Sequence, residues 1–150
     1  MLSRRPSTRA AGDAGSALML MPAAVLIVVV LAAMAVDLSL HQLGERQLRA
    51  LAADAANDAV GAGVDADRLR ATGEVRLDPV DAEAVARRSV AAGWPSTVAP
   101  GAVTVTVDAT AGSVTVTVTG TVESVFARAL PHGDDGAVVR ATATADLRSR

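Results

Sequence analysis

Two histidines, a few aspartate clusters and scattered serines are the side chains in this chain that could carry chemistry. His132 lies in the run Pro131-His132-Gly133-Asp134-Asp135, where one imidazole beside two carboxylates could hold a divalent cation. The same run reads as a turn: Pro131, Gly133 and Gly136 punctuate it, and aspartate favours turns through local hydrogen bonds. The turn is adopted, and no metal ligand is assigned. Asp54 and Asp58 are one helical turn apart, a spacing that suits a carboxylate pair but equally a solvated helix face, and the face is preferred. No serine stands in a nucleophile-elbow motif, and Gly61-Ala62-Gly63 is a helix stop with none of the lysine or hydroxyl of a phosphate loop. There is no cysteine, which excludes a thiolate nucleophile, a disulfide framework and a cysteine zinc site. The expectation is a protein that is not an enzyme, with no cofactor, no metal and no catalytic residue.

The elements around these residues say more. Residues Ser16 to Val36, SALMLMPAAVLIVVVLAAMAV, contain no charge. About 20 apolar residues in a helix cross the roughly 30 Å hydrocarbon core of a bilayer, and a single segment in lipid must be helical to satisfy its own backbone. Arg4, Arg5 and Arg9 outweigh Asp13 before the run, whereas the sequence after it is net acidic. Positive residues stay on the cytoplasmic side, so the N-terminus is expected inside and residues 37–150 outside the cell membrane. An acidic exterior without a basic stripe argues against nucleic acid as a partner.

Three readings of the run stay open. A cleaved secretory signal has an A-x-A cleavage candidate in Ala33-Met34-Ala35, but the run is longer than the usual apolar region of such signals and carries Pro22 early. A plain single-span anchor is the second. The third is a stem, in which the membrane helix runs on unbroken into an exported domain. Leu40, Leu43, Leu48, Leu51, Ala55 and Ala59 fall at helical spacing along one face of residues 37–61, Glu45 and Arg49 form an i,i+4 pair, and Gly61 and Gly63 end the pattern. Gly44 is a weak point where a kink is expected. The stem reading gives one helix of about 45 residues, roughly 65 Å long.

The segment from Gly15 to Gly63 resembles the N-terminus of TadE/TadG-like proteins, pseudopilin-like components of tight-adherence (Flp-type) pilus systems. The resemblance rests on Gly15 before the run, Pro22 early in it, Asp37 closing it and the alanine-rich Ala52 to Ala56. It implies a processing site at Gly15–Ser16. Pilin-type precursors usually carry Glu at the fifth position of the mature chain; counted from Ser16, that position is Leu20. The expectation is therefore a chain, uncut or cut after Gly15, that stays in the membrane. The partners implied are the lipid bilayer, other pseudopilin-like subunits and membrane platform proteins.

Beyond Gly63, residues 64–72 extend the helix or form a loop, and residues 74–77 suggest a short strand. Asp78 is an N-cap with Pro79 in the first helical position, for a second helix that ends at Gly93 and buries Val80, Ala84, Val85 and Val90 or Ala91. Val103, Val105 and Val107 alternate with threonine, as do Val114, Val116 and Val118, with Ala111-Gly112 between them as a hairpin turn. A third strand spans residues 137–147, and residues 123–130 suggest a helical turn carrying Phe126. One aliphatic and one threonine face per strand describes an antiparallel sheet covered on one side. The fold class is α+β and pilin-like, with four segments: a basic tail (1–15), a transmembrane helix (16–36), a helical stem (37–63) and a small extracytoplasmic domain (64–150). The threonine face is either plain strand surface or a docking surface.

Asp37 stands at the outer edge of the apolar run, as a membrane-interface residue or as an assembly contact for a neighbouring subunit's cation. The function expected is assembly of a pilus or related secretion apparatus; the alternative is an anchored or secreted extracytoplasmic binding module.

Overall fold

The computed structural model describes residues 12–126 and 136–147, and the fold is α+β. Helix α1 (Gly12–Ala62) is followed by α2 (Ala66–Thr72), α3 (Pro79–Gly93) and strands β1 (Ala99–Asp108), β2 (Ser113–Glu123) and β3 (Gly136–Asp146). The chain divides into two compact units, Met1–Val36 and Asp37–Arg150. The described part of the first is helix, and its large apolar side chains from Leu20 to Val36 are solvent-exposed. This helix, near the N-terminus, is long and apolar enough to cross a membrane.

In the second unit, α1 supplies one wall of the core. Its buried stripe is Gly44, Leu48, Leu51, Ala52, Ala55, Ala56, Ala59 and, just past its end, Gly63. Leu48, Leu51, Ala55 and Ala59 match the expected face, but Leu43 is 46% exposed and its neighbour Gly44 is buried instead. The cause is close approach. A Cβ at Gly44 would collide with Val122 Cγ2 from β2, so only glycine lets the helix lie this near the sheet. Gly44 is thus a packing position, and α1 continues through it as one helix. The Arg49–Glu45 pair forms at 3.0 Å but is exposed on both sides, worth about 0.3 kcal/mol.

A short clasp follows α1. Gly63 N donates to Ala59 O, Asp78 N donates to Gly63 O, and Asp65 N donates to Arg76 O, each at 2.9 Å. Of the suggested strand at residues 74–77 only Leu77 pairs, in one bridge with Val64, and residues 64–72 hold a separate helix, α2, in place of a helix extension or loop. Asp65 caps α2 through Arg68 N, and Gly73 ends it in the left-handed conformation at φ 75°. Asp78 caps α3 as expected, accepting from Val80 N at 2.8 Å and Asp81 N at 3.2 Å.

The buried face of α3 differs from the expectation. Ala82, Ala86 and Val90 point inward, while Val80 is 76% exposed and Ala84 and Ala91 are exposed. The packing again explains it: a Cβ at Gly63 would stand 2.7 Å from Ala82 Cβ and 2.8 Å from its Cα, so the small residues of the helix mark the contact. Opposite outcomes are expected two residues apart. Gly63→Ala overpacks this contact and should cost about 1–3 kcal/mol. Gly61→Ala meets nothing within 4 Å in the last turn of α1 and should gain about 0.5–1 kcal/mol. Urea midpoints of the two variants would check this, and a loss at both would refute it.

The sheet is an antiparallel meander in the order β1-β2-β3, as its alternation required. Val114, Val116, Val118 and Val122 of β2 and Val139, Ala141 and Ala145 of β3 are buried against the helices. The hairpin turn is organised by Asp108, whose carboxylate accepts from Thr110 N and Ala111 N, and by Gly112 at φ 69°. On the other face, Thr115 pairs with Thr144 at 2.9 Å and Thr117 with Thr142 at 3.0 Å. The expected helical turn at 123–130 does not begin where placed. Strand β2 runs through Glu123, because Val122 and Glu123 pair with Ala137 and Gly136, and residues 125–126 form a bend. Its remainder, from residue 127, lies outside the described residues.

Candidate functional site

The sheet's β2 terminus is tied to the helix by one carboxylate. Asp37 Oδ1 accepts from Val125 N at 2.9 Å, and Phe126 N is 3.3 Å from Oδ1 and 3.2 Å from Oδ2. These two amides lie just past Glu123, whose pairing with Gly136 is the last of the ladder among the described residues. A carboxylate is well suited to two consecutive N–H groups, because charge-assisted bonds are stronger than neutral ones. Asp37 is half-buried in this arrangement. Its intrachain bond spans 88 residues of sequence, and no local pattern could have announced it. The tip it holds is apolar and open: Val125 is 59% and Phe126 43% exposed.

A second feature is a groove of about 1340 Å³ between α3 and the C-terminal half of α1. Leu51, Val85 and Ala92 form apolar parts of its lining, and Asp54, Asp58, Arg88 and Ser89 its polar parts. The two aspartates noted in the sequence share this groove. Asp58 Oδ2 accepts from Ser89 Oγ at 2.7 Å, an interhelix bond between residues 31 apart. A serine bonded to a carboxylate resembles part of a nucleophilic pair, but the lining contains no imidazole to take the serine proton. The bond instead locks α3 against α1, and Thr97 Oγ1 to Gln47 Oε1 at 2.7 Å adds a further tie to the helix.

His41 stands on α1, half-buried, with Nε2 enclosed and without a hydrogen-bond partner among the described residues. It does not join either aspartate of the groove lining. His132, Asp134 and Asp135 lie outside the described residues. Among the described residues, no group of three or more His, Cys, Asp or Glu is placed to hold a metal ion. The Gly15–Ser16 bond is within α1. The edge strand β1 has its valines Val103, Val105 and Val107 only half-buried, whereas the central β2 valines are fully covered. No protein-family model, curated protein or solved structure matches the chain.

Proposed function

We propose that this chain is a non-enzymatic, membrane-anchored, pseudopilin-like protein that acts in assembly of a Flp-type pilus or related secretion apparatus. The observation that carries the anchor is the exposed apolar surface of residues 20–36. Burying each Val, Leu, Ile or Met side chain is worth about 1.5–3 kcal/mol, so leaving this run in water is costly, and a bilayer removes that cost. The N-terminus lies on the cytoplasmic side and the sheet domain outside, as the arginines before the run favour. Ala23, Ala24, Ala32 and Ala33 allow close contacts with the helices of other pseudopilin-like subunits.

The assembly role follows from the TadE/TadG-like pattern of Gly15, Pro22, Asp37 and Ala52–Ala56. It also draws on the alanine-lined helix packed on a small meander, a plan in which one element belongs to both lipid and domain. ATP hydrolysis belongs to other subunits. The decisive measurement is the intact mass of the membrane-extracted protein together with its co-purifying partners. A chain that is uncut, or begins at Ser16, and that brings down pilus platform proteins is expected. A mature start at Val36 would remove the anchor, and a membrane-retained chain with no pilus component would remove the assembly role.

A further inference from the structure

The helical side of the domain exposes Leu69, Val75 and Val80, but the exposed large apolar side chains of the sheet and its β2 terminus gather at one end. Val125 and Phe126 project at the β2 terminus, and Val138, 77% exposed, is close to the same end of the sheet, since Thr121 pairs with Val138 and Glu123 with Gly136. Farther along the same outward face, the residues are Arg140, Thr142 and Thr144 on β3 and Thr115, Thr117 and Thr119 on β2. The end that carries the apolar residues is the one bound by Asp37. Asp37 follows Val36 directly, and Leu38 beside it is also exposed.

We infer that the Val125–Phe126 tip is a second lipid contact, seated in the interfacial layer of the membrane that receives residues 16–36. The inference rests on the anchor reading above. If the apolar run lies in hydrocarbon, its first charged residue, Asp37, lies at the boundary with water. Val125 N and Phe126 N are within 3.3 Å of that carboxylate, so the tip is at the same level. Phe, like Trp and Leu, seats on the apolar faces that interfacial segments bury at the headgroup–acyl boundary, and Phe126 is the exposed one of the two aromatics in the chain, whereas Trp94 is half-buried with Nε1 bonded to Val98 O at 2.8 Å. The carboxylate also satisfies amides that would otherwise be costly to bring into a region poor in water. A lipid surface accounts for the continuity between run, carboxylate and tip.

The absence of cysteine makes the test direct. Single-cysteine versions of the full chain, Phe126→Cys, Thr117→Cys and Val28→Cys, are spin-labelled and reconstituted in phosphatidylcholine–phosphatidylglycerol vesicles. Collision with oxygen, enriched in lipid, is compared with collision with a water-soluble nickel chelate. Position 126 is expected to show an oxygen-to-nickel ratio several-fold above that of 117 and below that of 28. Adding Asp37→Ala should bring the ratio at 126 down toward that at 117. A water-like ratio at 126 with a lipid-like ratio at 28 overturns the inference and leaves the anchor standing. Low collision with both reagents at 126 overturns it in favour of a protein contact. A water-like ratio at 28 overturns both.

Discussion

Leu48→Ala is expected to lower the thermal midpoint of the Asp37–Arg150 unit by roughly 10 °C or more, for a loss of about 2–5 kcal/mol. Leu48 is fully buried, and among the fully buried side chains it is one of the largest, beside Val114, Val116 and Val118. Its helix neighbours in the core are mainly alanines: Ala52, Ala55, Ala56 and Ala59. Such a helix already lies as near the sheet as Gly44 permits and as near α3 as Gly63 permits, so the walls have little room to close on a vacated space. The cavity term therefore adds to the transfer term. Trp94, the single tryptophan, borders the core beside Gly120 and reports on this unit alone, which keeps the signal independent of the apolar helix. Melting the full chain in mild detergent by tryptophan fluorescence is the measurement. A midpoint within a degree or two of the parent would mean that the α1–sheet interface is not the core.

The second large effect concerns retention in the membrane. Replacing both Val28 and Leu31 by arginine should release the chain from alkali-washed membranes or prevent its insertion. An arginine near the middle of a spanning helix costs about 3 kcal/mol on insertion scales, and each substitution also forfeits the contribution of the residue it replaces. The paired control is Val75→Arg with Val80→Arg. Both positions are exposed in the sheet-bearing unit, so the same chemical change there should leave retention as it is. Equal retention of the parent and the Val28/Leu31 variant would contradict the anchor reading.

The sheet was legible in the sequence because its signal is local. Valine and threonine alternate through residues 103–107 and 114–118, a period of two has only one strand reading, and Gly112 marks the turn. The α3 boundaries were legible for the same reason, since Asp78, Pro79 and Gly93 act within a few residues. The inward faces of the helices were less so. Hydrophobicity favours Val80 and Leu43 for burial, yet the structure buries Ala82 and Gly44. Where two backbones approach closely, the space left for a side chain decides the contact, and the larger apolar residues turn outward. That distance is a tertiary quantity, absent from a single helix's periodicity. Asp37 shows the limit most sharply. Its place at the edge of the apolar run is visible in the sequence, but its acceptors' partners, the amides of Val125 and Phe126, are set by the length and register of a strand far downstream.

The separation between Asp37 and Val125 also has a consequence for the order of synthesis. A ribosome makes the alanine-lined part of α1 first, and the strands that cover it emerge last, with β3 ending at Asp146. Until then the helix waits covered by α3 alone, with the Asp37 carboxylate unable to close its loop. A stripe of Leu or Phe exposed for that interval would invite aggregation. A stripe made mainly of alanine presents little sticky surface and remains a good helix former alone. The small residues that let the finished helix lie close to the sheet thus also make the nascent chain tolerant of delay.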